Sequence, residues 1–405
     1  MRLLLATLGS RGDVEPFLWL ARAARDAGHD VRVAIPDDPD LAVTDLDAVS
    51  LGMSFSDVAP SVTGSTGAGL RAFRERIRPA MSRALAAAVD AATQWQPDII
   101  VAHPKLVTVP VVAARLGIPF LWVELTPTLT PTREFPAAGI AARSFGPHLN
   151  RLSYRAVSLA GAMFASDLRD ARARLGVSAS AQLPPASGSL AAISPSLLPR
   201  PHDWPATTQI TGDWHRPPDE DHVDVGDQLD DELSAFLADD APFVYAGLGS
   251  MTGGDPASRA EAVIAGARQA GLRVVMATAW GGLQPSSRSL GDDVLLARSV
   301  PHAAVLPHAV AAIHHGGAGT VHATARAGTP SVVMPFLADQ PFWAAHLRRL
   351  GLAGAALPKD RLTAHQVHHA VSHAADYSAP VRDLARQMIV ENGTATTLPI
   401  LSQLG

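Results

Sequence analysis

Short apolar runs of strand length alternate with amphipathic stretches along the chain. Leu3 to Leu8 is such a run. After the turn Gly9-Ser10-Arg11-Gly12-Asp13, the residues Val14, Phe17, Leu18, Ala21 and Ala24 recur at helical spacing. Gly28 ends that helix and Val31 to Ile35 is a second strand, so the chain opens as a doubly wound parallel sheet. The alternation continues with a helix over Met81 to Gln94, a strand over Asp98 to Ala102, a helix over Leu106 to Leu116 and a strand over Pro119 to Glu124. Thr126 to Gly146 interrupts it with Pro127, Pro131, Pro136 and Gly139. A loop this long over strand ends is expected to wall a binding cleft. Helix resumes over Tyr154 to Leu175.

Proline then punctuates the chain from Pro184 to Asp219, around short strands at Leu190 to Ser194 and Thr208 to Thr211. One domain should end here, with a hinge within Pro199 to Pro218. Glu220 to Asp240 is acidic and runs into a helix near Leu229 to Leu237. A second alternation follows: strands at Phe243 to Ala246, Leu272 to Ala277, Val294 to Ala297, Ala309 to Ile313 and Ser331 to Met334, with helices at Ala257 to Ala270 and Val321 to Ala327. Gly328 and Pro330 stop the latter helix. Helices over Phe342 to Leu350, Ala364 to Ala375 and Val381 to Glu391 complete the pattern. The expected division is 1–205, 206–380 and a C-terminal helical piece, 381–405, packing back on the first domain.

Length agrees, since 405 residues exceed one ordinary core and suit two domains of about 200 residues. With 33 basic against 38 acidic residues and a formal charge of -5, the chain carries no electrostatic footprint for nucleic acid. Zero cysteines exclude a disulfide framework, a thiolate nucleophile and a cysteine-ligated zinc. No apolar run reaches the roughly 18 residues of a transmembrane segment. Met1 to Leu8 is too short for a signal peptide, so a cytoplasmic protein is expected.

The candidate chemistry sits in turns that follow strands. In His314-His315-Gly316-Gly317-Ala318-Gly319-Thr320, glycines let backbone N–H groups approach a ligand, and the next helix points its positive end at the turn. That makes an anion site, phosphate above all, with His315 at its mouth; the alternative is a tight turn capped by Thr320. Gly247-Leu248-Gly249-Ser250 is a similar turn. Asp13 is either an acid in the first turn of a helix or a general base for an incoming hydroxyl. Arg11 beside it is a phosphate partner or a surface charge. Arg71, Arg74, Arg76 and Arg78, with Leu70, Phe73 and Ile77 between, make a basic amphipathic stretch. It is either a solvated helix face or a contact to an anionic substrate or membrane. Asp38-Pro39-Asp40 reads as a polar loop rather than a metal-binding Asp-x-Asp.

Ser10 to Asp13, Gly247 to Ser250, His314 to Thr320 and Pro335-Phe336-Leu337-Ala338-Asp339-Gln340 together resemble the GT-B glycosyltransferases of the UDP-glycosyltransferase-like family. The likeness is greatest to the bacterial branch that glycosylates antibiotic and macrolide aglycones, and to sterol-glucosyltransferase-like proteins, which Ser194 to Pro201 also resembles. The resemblance covers essentially the whole chain and implies two Rossmann-like domains facing across a cleft. It implies inverting, metal-independent transfer of a sugar from a nucleoside diphosphate, with Asp13 as general base and no cofactor. It assigns the pyrophosphate to His315, Gly317, Gly319 and Thr320, a phosphate contact to Ser250, and the donor sugar to Asp339 and Gln340. Ser10, Arg11 and Gly12 reach the diphosphate from across the cleft. Two departures stand out. Ala323 occupies the place of a ribose-binding glutamate, so dTDP-sugars are as plausible as UDP-sugars. Ser299 occupies the place of a base-stacking tryptophan, leaving Trp280 to stack on the base or sit in the core, and the Val300 backbone to bond it. The expected partners are the nucleotide-sugar donor and a hydrophobic small-molecule acceptor, in a monomer or homodimer. The Ala- and Arg-rich composition suggests a bacterium and antibiotic biosynthesis. The alternatives are a sterol or lipid glucosyltransferase at a membrane surface and a non-catalytic nucleotide-sugar-binding helper.

Overall fold

The computed structural model describes residues 1–38, 43–54, 71, 73–215, 231–278 and 281–404. Parallel strands form two sheets. The first contains β1 (Arg2–Ala6), β2 (Asp30–Ile35), β3 (Asp47–Ser50), β4 (Ile99–Ala102), β5 (Phe120–Glu124), β6 (Gly188–Ala191) and β7 (Thr208–Ile210), in the order β3-β2-β1-β4-β5-β6-β7. The second contains β8 (Phe243–Gly247), β9 (Arg273–Ala277), β10 (Val294–Ala297), β11 (Ala311–His314) and β12 (Ser331–Val333), in the order β10-β9-β8-β11-β12. A parallel sheet covered on both faces needs strands apolar on both faces. Leu3 and Leu5 face one core with the Arg11–Asp26 helix, while Leu4 and Ala6 face another with the Arg78–Trp95 helix. The chain order reverses between β1 and β4 and again between β8 and β11. At such switch points the loops leaving neighbouring strands diverge and open a crevice.

The two sheets are tied together by one apolar cluster and a polar clamp. Phe135 and Ala138, in the loop after β5, pack with Phe342 and Trp343 of the Gln340–Arg349 helix. Part of the expected cleft wall is therefore a bridge between the sheets. Ser194 N–H donates to His322 Nε2 at 3.2 Å, and the Ser194 and Ser196 hydroxyls donate to Glu391 at 2.9 and 2.6 Å. His346 Nε2 lies 2.9 Å from the Leu197 carbonyl.

Three elements depart from the sequence expectation. β3 has a short, mostly exposed edge sequence, Asp47–Ser50, without an apolar run. The helix expected to resume at Tyr154 begins at Pro147, with an inverted pattern: Asn150, Ser153 and Tyr154 are buried, while Leu149, Leu152 and Leu159 are exposed. Its buried polar atoms hold the preceding loop, as where Asn150 accepts from Phe145 N–H at 2.9 Å and Ser153 accepts from Ala137 N–H at 2.8 Å. The helix expected at Val381 to Glu391 is Ser378–Met388, and a further helix, Gly393–Ser402, follows it. Gly393, three threonines and Pro399 are weak helix formers. Asn392 caps this helix by accepting from Ala395 N–H at 3.0 Å, and it packs beside Arg11–Asp26, where Leu401 enters the β1 core.

In the basic stretch, Arg74 and Arg76 are exposed in the short Phe73–Ile77 helix and Arg78 pairs with Asp167; Leu70 lies outside the described residues. Asp38 accepts from the Ser54 hydroxyl at 2.6 Å, and Pro39 and Asp40 lie outside the described residues. No described helix is long and apolar enough to cross a membrane.

Candidate active site

The expected site turns all leave the carboxyl ends of strands, three of them at the two switch points and Pro335 to Gln340 after the edge strand β12. After β1, the chain reaches Gly9 at a φ of +149° and Ser10 caps the Arg11–Asp26 helix. Asp13 stands in the first turn and folds back on the cap. Its Oδ2 accepts from Ser10 N–H at 2.8 Å and from the Ser10 hydroxyl at 3.1 Å. A Cβ on Gly9 would stand 2.1 Å from that oxygen, so only glycine fits.

The other oxygen, Oδ1, faces two residues not singled out from the sequence. Lys105 Nζ donates to it at 3.0 Å, and His103 Nε2 lies 3.5 Å away. Both come from the turn after β4, the partner strand of β1 at the switch. Lys105 N–H donates to His103 Nδ1 at 3.1 Å, which leaves the ring proton on Nε2, toward Asp13. Burial, and then the Lys105 charge, push His103 down to about 3, so the ring is neutral at physiological pH. Burial pushes the Asp13 pKa up, but Lys105, His103 and the Ser10 N–H together outweigh it, and the net shift is downward. Asp13 is thus the first-turn acid that its sequence position allowed, with its second oxygen turned toward the loop after β4. The signal for its neighbours was present, since His103-Pro104-Lys105 directly follows an apolar strand.

In the second sheet, Gly316 takes a φ of +89°, and Gly317 caps the Ala318–Arg326 helix. Thr320 therefore lies inside the first turn and is not the cap expected as an alternative. The His315 ring lies over Gly317 and against Gly249 of the turn after β8, which carries Ser250. Its Nδ1 is buried without a hydrogen-bond partner, as is His314 Nε2. Burial lowers His315 to about 4 and His314 to about 3, so both rings are uncharged at neutral pH. His302, also neutral and lowered by burial to about 4, bonds the Tyr245 hydroxyl at 3.0 Å. The Arg11 guanidinium, which pairs with Glu15, is close enough to act electrostatically on both Tyr245 and His302 from the side of the first sheet.

The two switch points meet. A Cβ on Gly319 would stand 3.7 Å from the Gly12 Cα, so the helices Arg11–Asp26 and Ala318–Arg326 approach N-terminus to N-terminus. Each end carries unpaired N–H groups and roughly half a positive charge. Asp339 stands nearby as the N-cap residue of Gln340–Arg349, bonded by Trp343 Nε1 at 3.1 Å. Burial, then the neighbouring charge of Asp13, push its pKa up to about 6. Its neighbour Gln340 is turned inward. Its side-chain oxygen accepts from Phe336 and Leu337 N–H at 2.7 and 3.1 Å, and its amide donates to Met251 Sδ. The amide is thus committed to the loop rather than presented to the cleft. Val300 is buried beside Tyr245 and Val305, and Trp280 lies outside the described residues. Among the described residues no group of three His, Asp or Glu side chains is arranged to hold a metal.

Residues 271–399 match the family model for the C-terminal domain of erythromycin biosynthesis protein CIII-like proteins. Over its whole length the chain is 30% identical to O-mycaminosyltylonolide 6-deoxyallosyltransferase of Streptomyces fradiae, covering 97% of that protein. It is 32% identical to vancomycin aglycone glucosyltransferase of Amycolatopsis orientalis, over 87% of the chain and 85% of that protein. A sterol 3-beta-glucosyltransferase of Arabidopsis thaliana is 29% identical over 98% of the chain, which spans 64% of that longer protein. Among solved structures, the glycosyltransferase VinC in complex with dTDP superposes with a TM-score of 0.68 at 21% identity, each chain fully covered.

Proposed function

The chain belongs to the GT-B glycosyltransferase family of these antibiotic and sterol enzymes, and from that premise we propose that it transfers a sugar from a nucleoside diphosphate to a hydroxyl of a hydrophobic natural-product aglycone, inverting the anomeric centre without a metal. Asp13 is the general base. The diphosphate binds beside the contact of the two helix ends, against Gly317, Gly319, Thr320, His315 and Ser250 on one side and Ser10, Arg11 and Gly12 on the other.

The observation that carries this reading is the close approach of two positive helix ends at Gly12 and Gly319, with the half-buried His315 ring lying over Gly317. Like ends repel, and an anion beside their contact, facing both, offsets the repulsion. The same donors then stabilise the charge that develops on the departing nucleoside diphosphate, with no metal in that role. Inversion needs a base on the acceptor side and a stabilised leaving group opposite. In this reading Asp13 is that base, and the helix ends stabilise the leaving group.

Asp339 accepts the donor-sugar hydroxyls, and Gln340 supports it by holding the loop. No carboxylate stands at Ala323 to demand a ribose 2′-hydroxyl, so dTDP-sugars and UDP-sugars both fit, and the dTDP complex of VinC favours the former. The similarity to sterol glucosyltransferases supports a second reading, transfer to a sterol, which an assay with sterol-containing vesicles distinguishes.

Calorimetric titration with UDP, dTDP and GDP, first without metal and then with magnesium, tests the proposal. Binding of dTDP or UDP that magnesium does not strengthen is expected. Failure of all three to bind, or an absolute need for magnesium, refutes it.

A further inference from the structure

The carboxylate assigned as base is fully engaged. Its Oδ2 serves the helix cap, accepting both Ser10 donors. An acceptor hydroxyl must therefore use Oδ1, and Lys105 and His103 face that oxygen. The two neighbours differ in freedom. The His103 side chain is 13% exposed and is held at Nδ1 by the Lys105 N–H, whereas the Lys105 side chain is 42% exposed. The movable partner is the ammonium.

That ammonium also lies beside the proposed diphosphate cradle. A Cβ on Gly9 would stand 2.7 Å from Lys105 Nζ, and the same loop runs through Ser10 and Gly12 to the helix end that meets Gly319. Asp339, from the loop after β12, feels both Asp13 and Lys105. Lys105 is thus placed between the carboxylates and an anion site. An arriving diphosphate carries more negative charge than either carboxylate and competes for the same cation.

We propose that Lys105 is a positioning residue that couples donor binding to release of the base: without donor it covers Asp13 Oδ1, and the diphosphate draws it away so that the acceptor hydroxyl can bind there. This rests on the assignment of Asp13 as base. In the step that follows, the acceptor O–H proton passes to Oδ1 and the acceptor oxygen bonds the anomeric carbon. The bond from that carbon to the phosphate oxygen breaks, and its electron pair leaves on the nucleoside diphosphate. Binding is then ordered, donor before acceptor.

The Lys105→Met variant tests this in two ways. Wild-type enzyme is expected to bind an acceptor aglycone at least about tenfold more tightly with saturating dTDP or UDP than without, and Lys105→Met to reduce that coupling to within about twofold. The pH profiles separate a moving lysine from a fixed one, because kcat/KM for the donor reports free-enzyme groups and kcat reports those of the complex. In Lys105→Met the acid limb of kcat/KM for the donor should move up by about one pH unit, while that of kcat stays. Both limbs moving together would mean that Lys105 never leaves Asp13, and neither moving would mean that it never held it; either overturns the proposal. Absence of coupling in the wild type also overturns it, a measurement that needs no variant to fold. An inactive Asp13→Asn enzyme alongside an unshifted Lys105→Met would remove this inference alone. An active Asp13→Asn enzyme would remove the base assignment itself.

Discussion

Asp13→Asn separates chemistry from stability because asparagine keeps the shape of the side chain. Its amide oxygen still accepts from Ser10 N–H and hydroxyl, the bonds that measure 2.8 and 3.1 Å to Asp13. Two terms are lost. A negative charge in the first turn of a helix contributes about 0.3–1 kcal/mol. The ion pair with Lys105, whose side chain is 42% exposed, contributes about 0.2–1 kcal/mol after solvent screening. The expected destabilisation is therefore about 0.5–2 kcal/mol, a shift in Tm of a few degrees. It has a pH signature. The Asp13 pKa is lowered on folding, so its contribution is present above the unfolded value and is lost as pH falls through the folded one. The difference between variant and wild type should accordingly vanish in strong acid. Loss of a general base costs far more, about 10²–10⁴ in kcat, or roughly 3–5 kcal/mol on the barrier. Nucleotide affinity should hold within a few-fold, since Asp13 contacts no phosphate in the proposed complex. The assay is the initial rate of glycoside formation by chromatography, beside a thermal melt and a dTDP titration on the same preparation. Turnover within tenfold of wild type in a folded variant would refute the assignment. Nucleotide binding and turnover lost in parallel would show that Asp13 shapes the donor site instead.

Two further outcomes follow from the second sheet. Asp339 is held up at about 6, mainly by burial and then by Asp13. The folded state thus favours its protonated form, and stability present below the unfolded carboxylate pKa is lost as pH rises through about 6. Asp339→Asn should therefore raise Tm relative to wild type at pH 7–8, by about 1–3 kcal/mol of stability, with no gain at pH 3–4, and should lower sugar transfer. A gain independent of pH in melts across that range would contradict the cause given. Gly316→Ala places a Cβ 2.8 Å from Val333 Cγ1 at a φ of +89°. A loss of about 1–3 kcal/mol and at least tenfold weaker dTDP binding are expected; unchanged calorimetric affinity would argue against the His315 to Thr320 turn as the phosphate site.

Much of this enzyme is legible in its sequence, for local reasons. Both faces of each central strand are covered, so strands such as Leu3 to Leu5 read as unbroken apolar runs, and the GT-B fold expected from the motifs is the fold found. The glycine turns were legible because they depend on backbone freedom, and Gly9, Gly249 and Gly316 all adopt positive φ. Periodicity failed where packing reversed its logic. In Pro147–Ala160 the polar side chains face inward to hold a loop, and Gly393–Ser402 forms because of its cap and the helix it lies against.

What tertiary structure alone decided are the meetings. Lys105 and Asp13 are 92 positions apart and pair because β1 and β4 are neighbours at a switch point. Gly12 and Gly319 meet, and Asp339 comes within the field of Asp13, through contacts between the two sheets. A local pattern records which residues can form a strand, a turn or a cap, because those choices depend on near neighbours. Which charges then face one another depends on the topology of both sheets and on how they dock, and no short stretch of chain carries that information.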